Sequence, residues 1–319
     1  MTAYGIRRLV QAIPTLLGAT VLGFALIHLA PGDPIQFYAA QSGGMTNEDI
    51  DRLRHLYGLD QPLVLQYINW LAQLVRLDLG VSFGSHQPVL QSIVSRIPAT
   101  LTLTVTALVM STLLGVGIGV LAGLKRGGAL DTLTRLLAVI GHAVPTFWFG
   151  LVFILVFAVN WRIFPSGNIA SLGAADFDLG DRLWHLFPPA LVLSLSGLAT
   201  ISRFARTQTL EVIGQDYIRT ARAKGVSERA ITLRHVLRNS LIPVVTILGG
   251  SLPGLFGGSV VVESVFSWPG IGRMAVDAAF SRDYPILMGL LLMLAMLVTV
   301  GNLLTDLAYG VIDPRIKLS

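Results

Sequence analysis

The chain has no cysteine among its 319 residues. That excludes a disulfide frame, thiolate metal sites and thiol catalysis. Charge is also scarce: Asp, Glu, Lys and Arg make up 13% of the residues, against about a quarter in a soluble domain. Signatures of chemistry are missing as well. There is no GxxxxGK[ST], so the chain does not hold ATP through a phosphate loop, and HExxH does not occur. The histidines, at 28, 55, 86, 142, 185 and 235, fall on separate segments without metal-ligand spacing. An enzyme is therefore not the expected class, and no cofactor is expected on this chain. What the sequence has in quantity is apolar residues, 53% of the total, with a mean hydropathy of +0.69.

Those residues are gathered into long runs. A bilayer core needs about 20 mostly apolar residues per helix. Six stretches free of Asp, Glu, Lys and Arg reach that length, at 9–32, 97–124, 136–161, 183–202, 239–262 and 284–305. The fold class expected is an all-α integral membrane protein with six transmembrane helices. A signal-peptide reading of the first run is set aside, because the run is too long and no cleavage site leads to a soluble domain. With six spans, one side of the membrane collects 1–8, 125–135, 203–238 and 306–319, with 15 basic and 6 acidic residues. The other side carries 8 basic and 12 acidic residues. Positive charge stays inside, so both termini and the 203–238 segment are expected in the cytoplasm.

Between the runs lie segments with their own patterns. In 33–96, Thr46 and Asp49 form a capping-box pair, and Val64, Ile68, Leu71 and Val75 repeat at helical spacing after Pro62. The second run, taken to begin after Pro98, carries Gly115, Gly117, Gly119 and Gly123, a pattern expected to bring helices close in lipid. The third contains Pro145, which removes a backbone donor, with His142 just before it. His142 lacks an acidic partner in its own span, so a structural or pathway-lining role is favoured over proton chemistry. Asp176, Asp178 and Asp181 lack calcium-loop spacing and read as a solvated loop. The fourth run is taken to follow Pro188 and Pro189. Residues 263–285 are too apolar for plain solvent exposure and are expected to dip into an outer mouth or lie at the interface, with Trp268 as an anchor.

The segment 211–243 is the longest polar interruption on the positive side. It reads as a short helix over Asp216–Lys224, a stop at Gly225, and a second helix capped by Ser227 with Glu228 in its first turn. In the second helix Leu233, Val236, Leu237, Ser240 and Leu241 should share one face, and Ala230, Arg234 and Arg238 another. Lipid headgroups alone would explain the charges but not this helix–glycine–helix order.

DYIRTARAKGVSERAITLRHVLRNSLIPVVT, at 216–246, closely resembles the EAA loop of bacterial ABC importer permeases in the dipeptide, oligopeptide and nickel branch. LAPGDP at 29–34, GLDQPLVLQY at 58–67, LDLGVSF at 77–83, FSWPGIGR at 266–273, RDYP at 282–285 and DLAYGVIDPRI at 306–316 match the same branch in order. The likeness is to the first of two permease subunits, the type with a long external segment after its first span. Arg219, Thr220 and Ala221 stand at the EAA positions and Gly225 at the glycine; the motif's Glu is replaced by Arg219, and its closing Pro falls on Leu237.

The resemblance implies a type I importer permease fold. It divides the chain into an N-terminal transmembrane helix at 1–32 and an external amphipathic helical segment at 33–96. A permease core follows at 97–306, with its EAA-type loop at 211–240, and then a cytoplasmic tail at 307–319. Implied partners are a second homologous permease, two ABC ATPase subunits carrying ATP and Mg, an extracytoplasmic substrate-binding protein and membrane lipid, with no nucleic acid. The docking residues it implies are Tyr217, Arg219, Thr220, Ala221, Arg222, Lys224, Gly225 and Arg229, with His142, Pro145, Phe147 and Trp268 as candidates for the translocation path or gate. Location in a bacterial cell membrane follows. Peptide, nickel and glutathione importers share these landmarks, so the substrate stays open. The competing class, an ion- or proton-coupled secondary transporter, would need paired ionisable groups at mid-membrane and usually an internal repeat. An intramembrane hydrolase would need a nucleophile–base pair that is not evident.

Overall fold

A computed structural model describes the backbone of residues 2–29, 32–42, 45–171, 173, 177–239, 241 and 259–312. The described residues are helical apart from turns, loops and one isolated bridge between Val81 and Pro88. They form two compact units, 1–99 with 269–319 and 100–268.

The first unit pairs the long helices α1 (Thr2–Leu29) and Tyr284–Ile312. Gly23 lets them approach, because a Cβ there would run into Leu291. Three short helices follow α1: α2 (Pro34–Ser42), α3 (Asn47–Leu56) and α4 (Leu63–Val75). The capping box at the start of α3 forms as read, with Thr46 accepting from the Asp49 amide and the Asp49 carboxylate accepting from the Thr46 N–H. Neither α3 nor α4 has a buried residue. Arg54 holds Asp33 at the mouth of α2, and His28 bonds the Phe24 carbonyl at 2.9 Å. Val89, Ile93, Ile271, Ala278, Ile286 and Leu290 make this unit's core.

The second unit is built on α5 (Val89–Leu124, from Thr100 onward) and α8 (Leu179–Ile213). Along α5 the residues Leu101, Val105, Val109 and Leu113 stay exposed, while Leu103, Ala107, Val116 and Val120 are buried. An apolar row left outside and a second one turned inward is what a lipid-facing helix needs. The glycines set the contact with α8. A Cβ at Gly119 would stand 2.5 Å from the Ser202 carbonyl oxygen, and one at Gly123 would stand 2.6 Å from Thr209 Cγ2. Gly115 similarly faces Ile201, whereas Gly117 points at nothing within 4 Å. The close-contact row is therefore 115, 119 and 123, spaced by four.

Three helix boundaries differ from the sequence reading. Pro98 lies inside α5, and Pro188 with Pro189 lies inside α8 rather than ahead of it. The α8 start is set earlier by Asp178, whose carboxylate accepts from the Gly180 and Asp181 amides. The two prolines then cost only their own donors, and the turns around them carry the helix on. The third expected span is not one straight helix: α6 (Ala129–Ala143) and α7 (Thr146–Phe153, continued as a π-helix over Ile154–Asn160) meet at a bend of 106°. Pro145 is the N-cap of α7, which is where the missing N–H breaks the ladder. Val89–Leu124, Leu179–Ile213 and Tyr284–Gly301 are each long and apolar enough to cross a membrane. The bent pairs Ile13–Leu29 with Pro34–Ala40 and α6 with α7 bring the number to five if each is one span. Most of the expected span at 239–262 lies outside the described residues.

Candidate functional site

The end of α8 leads straight into the polar segment. Gly214 closes α8, and α9 (Asp216–Ala223) follows with Lys224 as its C-cap. Gly225 takes φ +79°. Its N–H donates to the Arg222 carbonyl at 2.9 Å, and the Val226 N–H donates to the Ala221 carbonyl at 3.2 Å. These two bonds are the Schellman closure, which needs a left-handed residue at this position. Ser227 then caps α10 (Glu228–Ile231), accepting from the Ala230 amide. Over Thr232–Leu237 the helix continues in π form.

A bidentate ion pair ties the two arms across the turn. Arg222 Nε donates to Glu228 Oε1 at 2.7 Å and Nη2 to Oε2 at 3.1 Å. The guanidinium holds the Glu228 carboxyl below its ordinary range, and Glu228 in turn raises Arg222. Asn239 Nδ2 donates to the Tyr217 hydroxyl at 3.2 Å, closing the far end.

The inner side of this hairpin is greasy. Ile218, Ile231 and Val236 are buried with Val116 and Val120 of α5 and Ile201 and Val212 of α8. Ala221, Leu237 and Leu241 pack against the same cluster. Leu233, expected on the buried face, is 56% exposed. The π turn explains this: i→i+5 bonding places Ile231 and Val236 on one side and rotates Leu233 off it. Outward, Arg219 is solvated and pairs loosely with Asp216 at 3.6 Å, and Tyr217 and Leu233 offer apolar area. Thr220, Arg222, Lys224 and Arg229 lie on the hairpin, Thr220 bonding back to the Asp216 carbonyl. All the docking candidates thus share one element, with Ala221 as its inward-packing member.

The path candidates are not gathered in the same way. His142, Pro145 and Phe147 sit at the 106° bend. His142 Nδ1 lies 2.8 Å from the Ala138 carbonyl, and Nε2 lies 3.2 Å from Thr200 Oγ1 on α8. Its partners are a carbonyl and a hydroxyl, not a carboxylate. Phe147 is half-exposed. Trp268 is 1% exposed, which corrects its reading as an interfacial anchor: an anchor must reach the headgroups, and this indole is enclosed.

One buried ion pair escaped the sequence reading. Asp131, buried at the start of α6, accepts both Nε and Nη2 of Arg206 on α8 and the Gly127 amide at 3.0 Å. Arg135 approaches the same carboxylate at 3.6 Å. The signal available was an acid two residues into a helix after a Gly-Gly turn, on the same side as Arg206. Pairing across 75 positions was not readable from either local pattern.

Comparison with known proteins gives the family. Residues 115–318 match the family described as the binding-protein-dependent transport system inner membrane component, and residues 1–104 match its N-terminal family. The chain is 42% identical to the oligopeptide transport system permease protein AppB of Bacillus subtilis, over 99% of this chain and 100% of that one. It is 39% identical to the dipeptide transport system permease protein DppB of Escherichia coli K12, over 99% of each. A putative peptide permease protein of Brucella suis is 42% identical over the full length of both. Among solved structures, the MetNI methionine ABC transporter in inward-facing form shares the fold, with a TM-score of 0.54 at 19% identity, covering 70% of this chain and 97% of that one. The chain is thus a multi-pass membrane protein without catalytic machinery of its own, and it belongs to the binding-protein-dependent transport system inner membrane components, the permease subunits of ABC importers.

Proposed function

We propose that this chain forms half of the translocation path of a peptide importer and receives the ATPase stroke through the α9–α10 hairpin. Two such permeases, this one and a homologue, would pair in a bacterial cell membrane, with two ATPase subunits carrying ATP and Mg inside and a binding protein delivering substrate outside. In this reading 1–32 is the first transmembrane helix, 33–96 an external segment, 97–306 the permease core and 307–319 a cytoplasmic tail, with both termini inside. Short peptides are the substrate class, in line with the oligopeptide and dipeptide permeases it resembles.

The observation that carries the reading is the build of the hairpin. Its inner face is locked into the core of α5 and α8 by Ile218, Ile231 and Val236, while its outer face is basic and solvated. A partner pushing on α9 would therefore move α5 and α8 with it, which is how a rigid element passes motion to a bundle. The test is Gly225→Pro, expressed with the ATPases and binding protein. Proline fixes φ near −65°, opposite to the +79° found here, and removes the N–H that closes the helix. The variant is expected to reach the membrane but to co-purify with less ATPase and to lose substrate-stimulated ATP hydrolysis. Unchanged recovery and unchanged stimulation would sink the docking role.

A further inference from the structure

The unit formed by 1–99 and 269–319 carries an open cleft of about 280 Å³ between the loop at 82–87, the start of α5 and the helix Ile271–Ser281. Arg96 lines it, partly buried, with no hydrogen-bond or carboxylate partner among the described residues. A guanidinium presents a planar fork of donors matched to a carboxylate. The hydroxyls beside it have the opposite polarity. Ser92 Oγ donates to the Pro88 carbonyl at 3.1 Å, Ser95 Oγ to the Ser92 carbonyl at 2.8 Å, and Ser281 Oγ to the Asp277 carbonyl at 2.8 Å. Their protons being used in their own helices, they offer lone pairs to a donor. The Asp277 carboxylate, well exposed and in a loose 3.8 Å ion pair with Arg273, supplies acceptor oxygens on the same wall. Asp283 is already committed, accepting Ser82 Oγ at 2.5 Å and the Gly84 and Ile286 amides.

We propose that this cavity binds a small zwitterion, with Arg96 taking its carboxylate and Asp277 with the serine hydroxyls taking its ammonium group. A free dipeptide has this chemistry, and a cleft just under the roughly 300 Å³ at which drug-sized pockets begin suits a ligand that small. The proposal rests on the peptide reading above and makes the cavity a holding site on the permease itself. An acidic segment of a partner protein would satisfy Arg96 but leave the acceptor half of the cavity unmatched.

The experiment uses the full transporter complex in lipid nanodiscs without the binding protein, and equilibrium dialysis of radiolabelled L-alanyl-L-alanine. Saturable binding is expected. Arg96→Gln should weaken it about tenfold, the value of one charged pair, with Arg96→Lys between. N-acetylated or amidated dialanine should bind the native complex similarly weakly. No binding, or equal binding by native and Arg96→Gln complexes, would each overturn the proposal. Peptide uptake into proteoliposomes separates the two readings. Import that proceeds while Arg96→Gln binds dialanine normally removes the cavity site alone. A complex that imports no peptide, yet loses dialanine binding on Arg96→Gln, removes the peptide reading and keeps the site.

Discussion

Gly225 shows how one residue's freedom shapes the α9–α10 hairpin. At φ +79° an L-residue with a Cβ is strained by about 1–2 kcal/mol. No neighbour lies within 4 Å of a Cβ built there, so the cost is conformational rather than steric. Gly225→Ala is expected to lower hydrogen-exchange protection of the Val226 and Ala230 amides and to leave the rest of the second unit unchanged. The Arg222–Glu228 pair beside it makes a pH prediction. Arg222 lowers the Glu228 carboxyl below its ordinary 4.5, so the pair's contribution is fully present above that value. It is lost as pH falls through the lowered folded value. Protection of the hairpin amides should therefore be flat from neutral pH to about 5 and fall only below about 4.5, and Glu228→Gln should abolish the step.

At the scale of elements, the α5–α8 contact depends on which glycine faces α8. Gly119→Leu must displace backbone, because Ser202 O and Arg206 N lie within about 3 Å of the new Cβ. Overpacking of that kind costs about 1–3 kcal/mol. Gly117→Ala meets open space and should be neutral or mildly stabilising through helix propensity. Melting of the purified protein in detergent tests the pair: a lower Tm for Gly119→Leu with an unchanged or slightly higher Tm for Gly117→Ala. Asp131→Asn addresses the α6–α8 link. It leaves Arg206 with a weaker acceptor in a mostly buried position, so it should lower Tm more than Arg135→Gln, whose side chain is well exposed. At this scale the sequence was only partly readable. The glycine spacing pointed to close helix packing, but its phase against α8 needed the partner helix. The Leu233 face was misjudged because a 3.6-residue period was applied to a π turn.

For the whole molecule, the absence of cysteine makes topology directly testable. Single cysteines at Ser166 and Arg219, both exposed, should differ in intact cells. Ser166→Cys should react with a membrane-impermeant maleimide, and Arg219→Cys should react only after permeabilisation. The reverse pattern would invert the orientation and with it the side on which the α9–α10 hairpin lies. Coupling is also a whole-molecule property. Ile218→Asp would put a charge into the core shared by the hairpin, α5 and α8. It should uncouple ATP hydrolysis from transport more severely than Arg219→Ala on the solvated side.

Class, membrane residence and the position of the α9–α10 hairpin were set by composition, charge-free run length and short-range capping patterns. Those are local quantities, so they survive without coordinates: a run of uncharged residues demands a bilayer, and Gly225 with Ser227 demands a turn wherever it sits. The 106° break at Pro145, the burial of Trp268, the Asp131–Arg206 pair and the cavity around Arg96 were decided only by tertiary structure. Each depends on residues far apart in the chain meeting, or on which side of a helix a neighbour occupies. Burial and long-range pairing are properties of packing, and no single segment contains them.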